Sequence, residues 1–97
     1  MLLVKNGLVV DGTGRPARKL DVVVEGDRIR DLAAPGGVKD AAADTVVDAA
    51  GALVTPGFID AHTHSDAYLL IEPDAPSKLA QGITTELNGQ CGGSAVP

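Results

Sequence analysis

The chain has 97 residues, enough for one small domain or for part of a larger one. Its formal net charge is −5, and its eight basic residues are scattered without a stripe that would neutralise a phosphate backbone, which excludes nucleic acid and anionic membrane as expected partners. No stretch approaches the ~20 apolar residues of a membrane helix, no leader with an apolar core and cleavage site is evident, and a single cysteine cannot form an internal disulfide, which fits a reducing cytoplasm.

Leu2–Lys5 and Leu8–Val10 read as one strand interrupted or turned at Asn6-Gly7, a dipeptide that tolerates positive φ. Asp11–Pro16 is a loop; its two glycines lack the third glycine and the helix of a dinucleotide fingerprint, so they are turn chemistry. Leu20–Glu25 is a β-branched strand with Ile29–Leu32 as its antiparallel partner, joined by a hairpin at Gly26-Asp27 and ended by Pro35-Gly36-Gly37. Ala41–Asp44 is a helical turn or plain loop, too short to nucleate alone. Thr45–Asp48 and Ala52–Val54 are short strands around Ala50-Gly51. Up to Pro56 this spacing of strands and turns predicts a small β-sandwich or open sheet.

After Gly57 the pattern changes. Phe58–His62 reads as a buried strand behind the Pro56-Gly57 turn. Helix is predicted over Asp66–Leu70 and again over Pro76–Gln81, with Pro76 at the first helical position and Gly82 as the stop. Ile83–Leu87 is a second β-branched strand, and strand–helix–strand predicts a parallel βαβ unit. His62 and His64 are the chain's two histidines. Strand alternation sends both side chains to one face, about 7 Å apart along the backbone, where one divalent ion can be held. The same topology brings Cys91 to the C-terminal edge of the neighbouring strand.

Pro56-Gly57-Phe58-Ile59-Asp60-Ala61-His62-Thr63-His64 resembles the first-strand signature of the metal-dependent amidohydrolase superfamily. Lys5-Asn6-Gly7 and Val47–Gly57 resemble the small β-domain that leads into its barrel. Gln81–Thr85 followed by Asn88-Gly89-Gln90-Cys91-Gly92-Gly93-Ser94 is similar to the D-aminoacylase (N-acyl-D-amino-acid deacylase) branch, in which a cysteine serves as a metal ligand. The resemblance implies an α/β chain with a β-rich N-terminal part. Residues 1–56 would be leading strands of the β-domain, the start of a small β-sandwich. Residues 57–97 would be the first βαβ segment of a TIM-like (β/α)8 metallo-hydrolase barrel, incomplete because such a barrel needs about 250 residues.

The implied cofactor is Zn²⁺, one or two ions, with His62 and His64 holding one and Cys91 holding or bridging to the other. The implied reaction is hydrolysis of a linear small-molecule amide by metal-activated water. A cyclic-amide hydrolase of the dihydroorotase or hydantoinase kind shares the histidine pair, but the Cys91 segment argues against it. Asp60 either orients a metal ligand or is a structural carboxylate, and Asp66 either contacts substrate or is the acid at a helix N-terminus. Gly92, Gly93 and Ser94 either offer N–H groups to an anion or form a tight turn. The superfamily draws its later histidines and its general-base aspartate from later strands, so no catalytic residue is assigned here. The chain is therefore expected to be inactive alone: a fragment or truncated form needing the rest of its barrel, a piece that pairs with a partner chain, or a non-catalytic assembly piece.

Overall fold

Strand β1 (Leu2–Val9) is the spine of the first half of the chain. In the computed structural model, which describes residues 1–94, it pairs antiparallel with β2 (Arg18–Glu25), and β3 (Arg28–Ala33) continues the sheet beyond β2. On its other side β1 pairs in parallel first with β4 (Thr45–Asp48) and then with β5 (Leu53–Val54). The result is one open five-stranded mixed sheet, in order β3-β2-β1-β4 with β5 beside the far end of β1. Leu3 faces Val23 across the β1–β2 ladder, and these two side chains, 0% and 3% exposed, lie at the centre of its small aliphatic core.

Asn6-Gly7 does not turn the chain back. It forms a β-bulge inside a continuous strand: the register against β2 slips between Val4 and Gly7, and Asn6 sits at φ 58°. The other side of β1 accommodates the bulge with the β4–β5 break. Ala49 and Gly51 donate N–H bonds to the carbonyls of Lys5 and Asn6 (both 2.9 Å), and the Asn6 side-chain amide donates to Asp48 (2.9 Å). One irregularity in β1 is thus matched by one in the chain beside it, and the backbone polar groups remain paired. The β2–β3 hairpin has the expected two-residue turn, with Glu25 opposite Arg28 and Gly26 at φ 60°. A single 3₁₀ turn covers Asp40–Ala42.

The described residues divide into two compact units between Pro56 and Gly57. The second holds β6 (Phe58–Asp60), α1 (Tyr68–Ile71), α2 (Pro76–Leu79) and β7 (Ile83–Glu86), with β6 and β7 parallel. This is the βαβ connection read from the sequence, with shorter elements. Pro76 does open α2, and Gly82 at φ 77° ends the turn that follows it. Asp66 and Ala67 stay outside α1, because the Asp66 carboxylate is engaged by a distant amide instead of capping the helix.

One expectation is overturned: the first strand of this unit is neither as long as Phe58–His62 nor buried. It ends at Asp60, and Phe58 and Ile59 are 56% and 69% exposed. With strands of only three and four residues, the ribbon is too short to bury these side chains, and the helix packed against β7 leaves them in contact with solvent. Among the described residues no helix is long and apolar enough to cross a membrane.

Candidate metal centre

The histidines lie just beyond β6, and from His62 to Ser65 burial alternates residue by residue. Thr63 and Ser65 are buried, at 6% and 8% exposure, while His62 and His64 are exposed. A period of two through Ser65 therefore sends both imidazoles to the same side, as strand geometry requires. Their ring centroids are 5.4 Å apart with planes inclined at 65°. The ladder continues on the β7 side, where the Leu87 N–H donates to the Asp60 carbonyl (2.9 Å).

Beyond β7 the chain turns at Gly89, at φ 79°, into a 3₁₀ turn over Gln90–Gly92. Cys91 within it adopts φ 53°, a left-handed conformation that few non-glycine residues take up. Its exposed thiol lies 3.6 Å from His62 Nε2. The two loops are tied by Asp66, whose Oδ1 accepts the Gly89 N–H at 2.9 Å. Asp66 is thus a loop-to-loop strut. Gly93 donates its N–H to the Gln90 carbonyl (3.0 Å), so the Gly92-Gly93-Ser94 stretch includes a tight turn at Gly93.

His62, His64 and Cys91 each offer a ligand atom, and these atoms all lie within 4.8 Å of one another. The chemistry of this set suits a borderline-soft divalent ion such as Zn²⁺. Tetrahedral coordination with Zn–S near 2.3 Å and Zn–N near 2.1 Å puts sulfur and nitrogen roughly 3.6 Å apart, which is the separation found between Cys91 and His62. Cys91 and His62 thus stand at the spacing of two ligands of one ion, with a His64 nitrogen within 4.8 Å of both.

The Asp60 side chain turns away from the imidazoles and toward Lys78. Its Oδ2 accepts from Lys78 Nζ at 2.7 Å, and its Oδ1 receives only a long bond, 3.4 Å, from the His62 backbone N–H. The Lys78 contact holds the Asp60 carboxyl below its ordinary range, and the Asp60 contact raises Lys78 above its own. Lys78 also donates to Thr63 Oγ1 (2.8 Å) and pairs with Glu86 (3.2 Å). Sequence reasoning missed Lys78, Thr63, Ser65 and Glu86. Thr63 and Ser65 were within reach: the rule that sends both histidines one way sends the residues between and after them the other way. Lys78 carried no signal, since one lysine on a short helix ordinarily points to solvent.

A family model described as the Amidohydrolase family matches residues 45–96. The chain is 50% identical over 96 residues to a D-aminoacylase of Alcaligenes xylosoxydans xylosoxydans, covering 99% of this chain and 19% of that protein. Among solved structures, a D-aminoacylase described as having a binuclear metal centre superposes with a TM-score of 0.85 at 44% identity, over 99% of this chain and 20% of that one. An N-acyl-D-glutamate deacylase from Bordetella bronchiseptica, solved with zinc and a phosphonate mimic of the tetrahedral intermediate, superposes with a TM-score of 0.88 at 41% identity, over 99% and 20% of the two chains. The chain spans about a fifth of the length of these relatives.

Proposed function

The chain belongs to the amidohydrolase family, and on that premise we propose that it carries the first metal-binding segment of a zinc-dependent N-acyl-D-amino-acid deacylase. In this reading residues 1–56 are leading strands of the β-domain and residues 57–97 open a (β/α)8 barrel. His62 and His64 hold one ion, and Cys91 holds it or bridges to a second. The observation that carries the reading is the convergence of two imidazoles and a thiol within 4.8 Å beyond the C-terminal ends of two parallel strands, the edge at which barrel enzymes build their sites. The exposed apolar side chains of β6 support it too, since they are surface that further barrel strands and helices would cover.

When bound, zinc lowers the pKa of a coordinated water toward 7 and polarises an amide carbonyl. The chain's own contribution is positional. The Ala61–Ser65 segment presents two imidazoles, the Gln90–Gly92 turn presents the sulfur, and Asp66 holds the two loops together. The general base, the remaining ligands and the groups that read the acyl chain and the stereocentre belong to later strands in this account. A free thiol at the centre suits a reducing compartment.

The test is hydrolysis of N-acetyl-D-amino acids by the zinc-loaded intact protein, with cyclic amides and the L-isomers alongside. The expected outcome is turnover of the D-amides that falls to background in His62→Ala/His64→Ala and on chelation. Turnover confined to cyclic amides, or unchanged by the histidine substitutions, would contradict the assignment.

A further inference from the structure

Beneath the histidines lies a closed ring of polar side chains. Lys78 Nζ donates to Asp60 Oδ2 at 2.7 Å and to Thr63 Oγ1 at 2.8 Å, and forms an ion pair with Glu86 Oε1 at 3.2 Å that is not a hydrogen bond. Thr63 Oγ1 also lies 3.0 Å from Ser65 Oγ, and Ser65 Oγ lies 2.5 Å from Glu86 Oε2. Lysine can only donate and a carboxylate can only accept, so the bonds at the two charged ends of the ring have a fixed direction, and one arrangement completes it. Lys78 donates to Thr63, Thr63 to Ser65, and Ser65 to Glu86, which pairs again with Lys78.

The ring draws its members from four places: the end of β6, the segment after it, helix α2 and the end of β7. Two of them, Thr63 and Ser65, alternate with the two imidazoles. Thr63 and Ser65 share with the two imidazoles the short stretch of backbone that their ring contacts hold in place. We propose that Lys78 is a positioning residue for the metal centre, acting through Thr63 to fix the face and spacing at which His62 and His64 project. The inference rests on the metal-binding reading above and assigns to that site a supporting layer of its own.

Charge gives the proposal a distinctive sign. Replacing Lys78 by methionine removes one positive charge and leaves the Asp60 and Glu86 carboxylates behind. Coulombic attraction alone would then bind a cation more tightly; loss of positioning binds it more weakly. Thr63→Val removes the ring contact with no change of charge and little change of shape.

The experiment is Co²⁺ affinity of the intact protein, measured by competition with a chromogenic chelator, together with the visible cobalt spectrum. Lys78→Met and Thr63→Val should each weaken binding by about ten- to a hundredfold and alter the spectrum. Their double variant should lose little more than either alone, and Lys78→Arg should recover part of the loss. Asp21→Asn, in the first unit and remote in sequence from the centre, serves as the control, lowering stability while leaving cobalt affinity unchanged. Either single variant binding cobalt as tightly as the parent, or more tightly, overturns the proposal. Undiminished cobalt binding in His62→Ala/His64→Ala would instead bring down the metal reading and the proposal with it.

Discussion

Asp21 is a charged side chain at 1% exposure, and its two oxygens are both occupied. Oδ1 accepts the N–H of Asn6 at the β1 bulge (3.0 Å), and Oδ2 accepts the N–H of Gly36 in the loop beyond β3 (2.7 Å). One carboxylate therefore satisfies two backbone amides that have left their regular ladders, one on each side of β2. Bonds to a charged acceptor are among the stronger ones, and a buried amide left without a partner carries a desolvation penalty. Asp21→Ala should lower stability by about 3 kcal/mol, read as a shift of the urea midpoint with unchanged slope. A change below about 0.5 kcal/mol would mean that water replaces both bonds. In the sequence Asp21 is hidden within a valine-rich strand, since strand alternation gives no sign that an acid is there for two amides distant in the chain.

At the scale of elements, the β6–β7 pair depends on how closely two strands can approach. A Cβ on Gly57 would collide with the Thr84 side chain and would stand only 2.7 Å from Thr84 Cβ. Gly57→Ala should therefore cost about 1–3 kcal/mol through overpacking. Combined with Thr84→Ala it should cost clearly less than the sum of the two single changes, because the collision is shared. Strict additivity in the same unfolding measurement would refute the packing account.

The β2–β3 hairpin, the short strands β4 and β5, the start of α2 at Pro76 and the parallel β6–β7 pairing were legible in the sequence. Each follows from local turn chemistry or β-branched runs acting over a few residues. The bulge at Asn6 was not, because the same Asn-Gly pair suits a turn or a bulge, and only the neighbouring β4–β5 break decides between them. The exposure of Phe58 and Ile59 escaped for a related reason: an apolar run reports what a strand can bury, and what lies over it is set by other parts of a fold. For the candidate site, the side shared by His62 and His64 agrees with strand alternation, whereas Asp60, which the same rule places beside them, turns to Lys78 because the strand ends there. The role of Asp66 and the bonds from Lys78 to Asp60 and Thr63 depend on contacts between residues fifteen or more positions apart, which no local pattern encodes.

Considered whole, the chain joins a mixed five-stranded sheet and a parallel βαβ unit, each leaving large apolar side chains in contact with solvent, among them Leu53 at 64% and Leu70 at 79% exposure. Both units lie within a stretch that corresponds to about a fifth of its relatives. On the reading proposed above, the rest of the barrel covers the second unit and completes the ligand set. The central claim is narrower and sits in these residues: His62, His64 and Cys91 bind one metal centre. The direct measurement is the near-ultraviolet and visible spectrum of the intact protein loaded with Co²⁺, compared with Cys91→Ser and His62→Ala/His64→Ala. A thiolate-to-cobalt charge-transfer band that disappears in Cys91→Ser, with weakened metal binding in the histidine variant, is the predicted result. A band that persists without Cys91, or its absence from the cobalt-loaded parent, would contradict the account.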